Sequence, residues 1–543
     1  MKTASLTGLP MGLVLLLVGG TALTSALPAF AQSSVTAAPD GTGTAVSFDA
    51  ASQTYTINGG TQIDANLFHS FQQFGLSTNE IANFLANPDV SNILARVSGG
   101  QTSVINGLLQ VSGGNNANLF ILNPAGVLLG RSANLNLSGS FSVSTASGLA
   151  FGNTVFNATG NNDYSSLIGN PTGYVFLGGE GILLNEADLA VNPGESLTLA
   201  GGTVINTGSL TAPGGAVSIV AVPEAGILRI AQDGLVMTLA VSTDQLQGLV
   251  DAGITPLDLP SLLAGEWGGD ATTVNTLADG TVVLSSGDAV NATPGAVTST
   301  GTVNVSGVQG GQVVLIGEDI ALPAGLIDIS GTAGGDLAVY ARDDLRLGVS
   351  VDAAGGGQAL FDPTTLNIDG AAASTIVTTL LGGNAIVEAT ETINVNAAID
   401  SSAQANTNTL TFRDENADNS LTINLNAGIT LGANQTLTGE GTTVNVNTTT
   451  AGAVQNGVDL AAADATVNLG AGTYQEGQEV TINQALTLNG AGAGTTTLGG
   501  QGIHRVLAIN ATGTVNINNL TIANGSTTGN GGGLRIMLAL PSR

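Results

Sequence analysis

The segment VSGVQGGQVVLI, residues 305–316, is followed by two variants of itself, ISGTAGGDLAVY at 329–340 and VDAAGGGQALF at 351–361. Each copy passes from an apolar residue through glycines into alternating apolar and small residues, which is the period of a strand. The copies begin 24 and 22 residues apart. A repeat of this length is typical of one coil of a parallel β-helix, which buries its apolar face against neighbouring coils.

The composition of the whole chain agrees with such a solenoid. Glycine contributes 78 of the 543 residues, whereas aromatic residues make up only 3%. Coil corners need residues that tolerate positive φ, and coil walls need small or β-branched residues. The alternation recurs elsewhere, as in LTAPGGAVSIV at 210–220, which argues against low-complexity disorder. The alternative is an array of β-sandwiches, but the low aromatic content favours the narrow core of an all-β parallel β-helix with about twenty coils.

Helical spacing is confined to two segments. STNEIANFLANP at 77–88 places Ser77 and Glu80 in the arrangement of a capping box, and STDQLQGLVDAG at 242–253 is the second candidate. We therefore predict two short helices in a chain that is otherwise made of strands.

Residues 1–31 have the pattern of a secretory signal peptide. Lys2 supplies the positive charge, MGLVLLLVGG at 11–20 the apolar region, and AFA at 29–31 a site for cleavage between Ala31 and Gln32. No later stretch approaches the ~18 unbroken apolar residues of a spanning helix. We expect export by the Sec machinery and a soluble mature chain.

The charge balance excludes several classes of partner. Cleavage removes the only lysine and leaves nine arginines against 39 carboxylates, which gives 9 − 39 = −30. Nucleic acids and anionic membranes need Lys or Arg to meet phosphate, so we predict binding to neither. The absence of cysteine excludes disulfides and thiolate metal sites.

A proline interrupts the apolar segment NLFILNPAGVLLG at 118–130. Proline cannot donate to a sheet, so one continuous central strand is excluded here. Asn123, Pro124, Ala125 and Gly126 instead fit a type I turn between two short strands.

Several segments together resemble the filamentous-haemagglutinin-type secretion domain of two-partner secretion exoproteins. The matching segments are NLFHSFQQF (66–74), NILARVSGG (92–100), SVINGLLQVSGG (103–114), NLFILNPAGVLLG (118–130), LNLSGSFSVSTASGLAFG (135–152), 184–224 and LFDPTTLNID (360–369). The resemblance implies a right-handed parallel β-helix with N-terminal capping strands. It also implies export through the periplasm by a dedicated outer-membrane barrel transporter, which recognises this domain.

The turn at 123–126 is similar to the family's Asn-Pro-Asn-Gly motif, with Ala125 in place of the second asparagine. The resemblance therefore implies that Asn123, Pro124, Ala125 and Gly126 form a secretion motif; the alternative is a turn without any role in export. The family's Asn-Pro-Asn-Leu motif has no clear copy, and GNPTG at 169–173 is only a loose candidate.

Some parallel β-helices cleave polysaccharides, which requires paired carboxylates or Ca²⁺ beside a positioned base. The candidate residues are Arg342, Asp343, Asp344, Arg346, Arg413, Asp414 and Glu415. Each of these two charge clusters lies at a plausible strand end, where solvated charged residues are expected in any case. His69 and His504 are far apart, and no Ca²⁺-binding nonapeptide array is present. We predict a protein that is not an enzyme and has no cofactor or metal.

The predicted organisation is a signal peptide at 1–31, a secretion domain at 32–260, a joint at 261–280, β-helix repeats at 281–450 and further coils at 451–543. We predict a secreted or surface adhesin with an unknown glycan or protein ligand. The alternatives are a carbohydrate-active, pectate-lyase-like β-helix and an inactive transport-domain fragment. LRIMLALPSR at 534–543 has no strand alternation and offers no polar cap. We therefore expect the natural reading frame to be interrupted near Leu534.

Overall fold

The computed structural model describes residues 34–229 without 115, four short strands between 238 and 290, and residues 293–536 without 416–419 and 530. About half of the chain is in strands, and stacked parallel coils form a β-solenoid of about 17 turns. The predicted all-β parallel solenoid is confirmed, and the β-sandwich alternative is wrong because successive coils pair in parallel register. The predicted cleavage site at Ala31 and Gln32, the helix at 242–253 and most of the joint at 261–280 lie outside the described residues.

One continuous sheet, called wall A, runs along most of the solenoid. Its inward positions alternate with outward ones, so that Val313, Leu337 and Ala359 stack inside in register. The strands of wall A are β1 (Val35–Ala37), β4 (Thr61–Ile63), β5 (Asn66–Phe74), β7 (Asn92–Val97), β10 (Asn118–Leu122), β13 (Phe141–Ser144), β19 (Ser196–Gly201), β22 (Ala216–Ala221), β31 (Gln312–Gly317), β35 (Asp336–Ala341), β38 (Gln358–Pro363), β40 (Asn384–Ala389), β43 (Thr409–Asp414) and β46 (Thr436–Gly439).

Two consecutive seven-stranded parallel sheets form wall B, which follows wall A along the chain in the coils up to β46 and continues beyond it. The first contains β8 (Ser103–Ile105), β11 (Val127–Leu129), β17 (Ile182–Asn185), β20 (Thr203–Asn206), β28 (Val297–Ser299), β32 (Ile320–Leu322) and β36 (Leu345–Leu347). The second contains β39 (Thr365–Ile368), β41 (Thr392–Val395), β44 (Thr422–Leu425), β47 (Gly441–Val446), β48 (Ala461–Leu469), β51 (Leu486–Gly490) and β54 (Val515–Asn518).

Shorter sheets form the third side of the coils. They contain β6 (Ile81–Leu85), β9 (Leu108–Ser112), β12 (Asn134–Asn136), β18 (Asp188–Ala190), β21 (Ser209–Thr211), β29 (Thr302–Asn304), β30 (Gly307–Gln309), β33 (Leu326–Asp328), β34 (Gly331–Ala333), β37 (Ser350–Asp352), β42 (Ile399–Asp400), β45 (Ile429–Thr430), β49 (Gly472–Gln475), β50 (Val480–Ile482), β52 (Thr496–Gly499), β53 (Leu507–Ile509), β55 (Thr521–Ala523) and β56 (Leu534–Ile536).

Antiparallel strands cap the N-terminal end, as the fold prediction required. Strand β1 pairs antiparallel with β5, and β2 (Thr44–Asp49) pairs antiparallel with β3 (Thr54–Gly59), which then joins the parallel stack through β6. The rings of Phe71, Phe74 and Phe84 meet beneath this cap at centroid distances of 5.0–6.2 Å. The cap covers the apolar end of the core, which an uncapped solenoid would expose.

A second antiparallel sheet lies on the outer face of wall A. It contains β14 (Gly148–Phe151), β15 (Thr154–Asn157), β16 (Gly173–Phe176), β23 (Gly226–Arg229) and β24 (Thr238–Ala240). Its residues Leu149 and Phe156 join Phe68, Leu94 and Leu122 of wall A in a second apolar core. The first coils are therefore buried on both faces of wall A. A further three-stranded sheet contains β25 (Val274–Thr276), β26 (Val282–Leu284) and β27 (Ala289–Val290).

In two places along the solenoid, a helix takes the place of a strand on the third side of the coil. Helix α1 (Gly370–Gly382) follows β39 and contacts β37 and β42, and α2 (Ala453–Asp459) follows β47. Asp369 caps α1 by accepting hydrogen bonds of 2.9 Å from the backbone N–H groups of Ala371 and Ala372. The sequence analysis did not predict either helix. Within the described residues, neither of these helices nor any other is long and apolar enough to span a membrane.

The helix predicted at 77–88 is wrong. Only one bond of a capping box is present: Glu80 Oε2 accepts from Ser77 N at 2.7 Å, but the bond from Glu80 N, at 3.1 Å, goes to the backbone oxygen of Ser77 and not to its hydroxyl. These bonds close a turn, and strand β6 follows it. The strand forms because Ala82 and Phe84 alternate into the core between the coils on either side.

The repeat register also needs correction. Val303, Ile327 and Val351 stack in register, so on the third side both coils have 24 residues. On wall A the second step falls to 22, from Asp336 to Gln358, because the glycine corner before β38 is two residues shorter. At the other end, Leu534–Ile536 forms β56 and pairs with β53, so strand structure continues past Gly533. The proposed interruption of the reading frame stays a prediction.

Candidate functional site

The turn at Asn123–Gly126 lies at the corner between walls A and B. Strand β10 ends at Leu122 and β11 begins at Val127, and the backbone N–H of Gly126 donates a 3.0 Å hydrogen bond to Asn123 O. Gly126 has a φ of 112°, which only glycine adopts without strain. The proline therefore occupies a corner at which no ladder hydrogen bond is lost.

The turn is fixed to both neighbouring coils. Ser103 N donates to Gly126 O at 3.1 Å on one side, and Gly181 N donates to Pro124 O at 2.8 Å on the other. A Cβ on Gly181 would lie 2.7 Å from Gly126 N, so the next coil can approach this closely only because residue 181 is glycine. The backbone of the turn is thus determined by stacking.

The side chain of Asn123 is completely buried, unlike those of other Asn-Pro turns. Its amide donates to Gln101 O at 2.8 Å and to Ser103 Oγ at 2.9 Å, while its Oδ1 accepts from Ala125 N at 3.1 Å. Turns with the same closing bond begin at Asn87 and Asn192, but both of those side chains are exposed. Only Pro124 and Ala125 of the candidate motif reach the surface.

The loose candidate at 169–173 lies in a different environment. It precedes β16 in the antiparallel sheet, and Asn170 Oδ1 accepts a 3.1 Å hydrogen bond from the amide of Asn92. Asn92 in turn donates to Asn66 at 2.9 Å and accepts from Asn118 at 3.0 Å. The segment is therefore held against an asparagine ladder on the edge of wall A.

Arg96 links three parts of this region and was not singled out from the sequence. It is 2% exposed, and its guanidinium donates to Ser70 Oγ at 2.9 Å, to Asn157 O and Gly160 O at 2.8 Å, and to Asp40 Oδ2 at 2.7 Å. An arginine between the apolar residues of NILARV, in an otherwise apolar strand, was the available signal. Arg96 ties the N-terminal segment and the antiparallel sheet to wall A.

The carboxylate of Asp40 responds to this pairing. Partial burial acts to raise its pKa, but hydrogen bonds from Ser70, Thr42 and Arg96 outweigh that effect and lower the pKa to about 2. The ion pair is therefore formed at every pH above the acidic range.

The charged groups considered for catalysis are mostly ion pairs on the surface. Arg342 binds Glu318 at 3.0 Å, and Arg346 binds Asp344 at 2.9 Å. Arg413 forms a bidentate pair with Glu388 of the neighbouring strand, at 2.8 and 2.5 Å. The two groups proposed from the sequence lie on different coils and do not come together.

Asp362 stands next to the Arg413–Glu388 pair and was not considered from the sequence. Burial first, and then the charges of Glu415 and Glu388, raise its pKa to about 7, while Arg413 acts in the opposite direction. A carboxyl group with a raised pKa beside other carboxylates is the arrangement that acid–base chemistry uses.

The two histidines are separated, as predicted. His69 is fully buried in β5, and burial lowers its pKa to about 4. His504 bonds the backbone oxygen of Arg505 at 2.7 Å. In the part of the chain that the structure describes, no group of three or more His, Cys, Asp or Glu side chains could hold a metal ion.

Residues 35–264 match the sequence model of the TPS secretion domain. Residues 35–264 are a TPS secretion domain, the N-terminal domain of two-partner-secretion exoproteins. The chain also matches the crystal structure of the HMW1 secretion domain from Haemophilus influenzae, with 17% identity and a TM-score of 0.44 over 74% of this chain and 100% of that chain. No curated protein matches the chain.

The TPS secretion domain contains the Asn123 turn, the capping strands, Arg96 and the antiparallel sheet. It is a family of secretion domains of extracellular exoproteins and not a family of enzymes. The family also implies a dedicated outer-membrane transporter as partner.

Proposed function

We propose that this protein is the exported partner of a two-partner system and that the Asn123–Gly126 turn takes part in its recognition by the outer-membrane barrel transporter. The match to the TPS secretion domain over residues 35–264 carries this proposal. In the proposed pathway the Sec machinery removes a signal peptide after Ala31. The secretion domain then engages the barrel from the periplasm.

The geometry divides the turn into two roles. Asn123 and Gly126 are buried and hold the corner, whereas Pro124 and Ala125 are partly exposed and can be contacted from outside. A recognition role therefore belongs to Pro124 and Ala125, with Asn123 as the residue that positions them. Ala125 occupies the position of the family's second asparagine, so we propose that a transporter contact there accepts either alanine or asparagine.

Export can be tested by expressing the full chain with and without a barrel transporter of the two-partner type and measuring the fraction outside the cell. Ala125→Arg changes the exposed surface without removing a hydrogen bond that the turn makes. We expect it to lower the exported fraction at least fivefold, and Ala125→Asn to leave export unchanged.

The matched control is the exposed Asn-Pro turn at Asn192–Glu195, where Pro193→Arg places the same side chain on an exposed corner of the same domain. This control should be exported normally. Equal export of both arginine variants would show that the Asn123 turn is only a corner. Export that does not depend on the transporter would contradict the whole proposal.

For the exported protein we propose an adhesin-like role at the cell surface or in the medium, with a glycan or protein as ligand. This proposal rests on a secretion domain that is followed by a long, acidic, lysine-poor solenoid. Binding of the purified chain to host or neighbouring cells, compared with binding of residues 34–229 alone, tests whether the later coils adhere. A carbohydrate-active enzyme remains the second candidate, and depolymerisation of neutral and acidic polysaccharides that fails in Asp362→Asn would support it.

A further inference from the structure

The outer face of the second sheet of wall B repeats the same two residue types six times. Strands β39, β41, β44, β47, β48 and β51 place one threonine each in a column: Thr365, Thr392, Thr422, Thr443, Thr466 and Thr487. Two residues later on each strand, an asparagine makes a parallel second column. We call these twelve residues the Thr–Asn face.

The asparagine column is a continuous hydrogen-bonded ladder. Each amide donates to the side-chain oxygen of the preceding coil, at distances of 2.7–3.2 Å, through Asn367, Asn394, Asn424, Asn445, Asn468 and Asn489. The residue between the two columns is fully buried on every strand, for example Ile393, Val444 and Leu488. The columns are therefore fixed from both sides, and little conformational entropy is lost when a ligand binds.

Solenoid composition alone does not explain the repeat. The interval between successive members changes among 27, 30, 21 and 23 residues, yet the same pair returns to the same two positions. Wall A of the same coils has no such pair. One of its outward columns contains Leu360, Ile386 and Thr411, and the next contains Glu388 and Arg413. The Thr–Asn pair is kept on this wall although the coil length changes, which indicates that the pair is specific to this face.

The chemistry of the face excludes most partners. It carries no charge on a chain whose net charge is −29, so ions and charged polymers have nothing to pair with. It has no aromatic side chain on which a flat ring could pack. Five steps of about 4.8 Å and a column separation of about 6.7 Å enclose roughly 160 Å². That area is well below the ~800 Å² per partner of a stable protein interface.

The face is instead suited to a ligand that is itself a regular lattice of water. Each threonine hydroxyl, and the amide hydrogen and lone pair that the ladder leaves unused, can hold one water molecule. Such waters repeat at the strand spacing of about 4.8 Å in one direction and at about 6.7 Å in the other. The oxygens of hexagonal ice repeat at similar distances along its two principal axes.

We propose that the Thr–Asn face binds ice. The waters that it holds become part of the crystal surface, so the protein adsorbs to ice and stops growth where it is attached. This activity requires neither the transporter nor an adhesive ligand, so it can be tested on the purified chain independently of the proposed export.

The experiment measures three properties of the purified full chain: the growth of ice grains in frozen sucrose, thermal hysteresis, and the transfer of fluorescently labelled protein onto a growing ice crystal. We expect slowed grain growth and labelled ice. Thr443→Lys, in the middle of the face, should raise the concentration needed for half-inhibition at least tenfold. Thr487→Lys, on another coil, should do the same, which guards against local misfolding of one variant.

The matched control is Thr411→Lys, a partly exposed threonine on wall A of the same coils, and it should keep full activity. Exclusion of the native chain from ice would overturn the proposal, as would equal losses in the Thr443 and Thr411 variants. Capture of the chain on cellulose or chitin that Thr443→Lys abolishes, without any effect on ice, would assign the face to a neutral glycan and also overturn it.

Discussion

The side-chain amide of Asn123 donates a 2.9 Å hydrogen bond to the hydroxyl of Ser103, one coil earlier, and neither side chain is exposed to solvent. The residue that the sequence suggested as part of a recognition motif is therefore also a tie between two coils. Substitutions of Asn123 combine an effect on stability with any effect on export, and the two must be measured separately.

Asn123→Ala should destabilise the corner by about 1–3 kcal/mol, because the buried Ser103 hydroxyl and Gln101 carbonyl lose their partner. A long solenoid does not unfold in one step, so the change is best measured by hydrogen exchange of strand β11. Asn192→Ala, at an exposed turn, should change exchange there by ~0.5 kcal/mol or less. Similar changes at both corners would show that burial of Asn123 has no energetic role.

The pair of Asp40 and Arg96 should make the N-terminal segment sensitive to acid. The folded pKa of Asp40, about 2, is below its unfolded value of 3.8. The pair therefore stabilises above about pH 4, and this contribution is lost as the pH falls through 2. Asp40→Asn should speed exchange in β1 and β5 at pH 6 and have little effect near pH 2, with the native chain measured at the same pH. Asp188→Asn, on a distant exposed strand, serves as the control.

Asp362 should have the opposite dependence on pH. Its folded pKa, about 7, is above the unfolded value of 3.8, so the unfolded chain loses this proton first and stability falls as the pH rises from about 4 to 7. Asp362→Asn should remove this fall and increase the protection of β38 at pH 8 by tenfold or more, with little change at pH 4. Increased protection at both pH values would show that Asp362 is not protonated in the folded chain.

Gly335, at the corner before β35, should not tolerate a side chain. A Cβ on Gly335 would lie 2.0 Å from the backbone oxygen of Gly311. Gly335→Ala should therefore separate two coils and lower the thermal midpoint of the repeats by several degrees. Gly494→Ala, which meets no atom within 4 Å, should be neutral or slightly stabilising. Differential scanning calorimetry of both variants makes the comparison, and a stable Gly335→Ala would mean that the corner can open without cost.

The walls could be predicted from the sequence because their signal is local. Alternating residues such as Val313 and Leu315 face inward whichever strand stacks on them, and the glycine corners mark each coil. The turn at Asn123 was equally readable from its residue types. The register between successive coils was harder to predict, because it depends on how many residues each corner contains.

The wrong and the missed predictions have a common cause, which is contact between stacked coils. The segment from Ser77 to Leu85 carries helix signals, yet it forms a turn and then strand β6, because Tyr55–Ile57 and Leu108–Val111 lie on either side of that strand and pair with it. At Asp369 a capping residue begins a real helix in an Ala-rich run, where the third side needs only a cover for the core. Likewise Arg96 gains its importance from Asp40 and Gly160, which are 56 and 64 residues away.

The direction of the hydrogen bonds between stacked coils determines how the molecule responds to mechanical force. Bonds between coils run along the solenoid axis, so a pull at one end loads only the outermost coil, and each coil should peel away before the next is strained. With 21–30 residues between equivalent positions of successive wall B strands, each event should release about 70–100 Å of extended chain. A solenoid of this kind, when held at one end under flow, would yield in steps and keep its remaining coils folded.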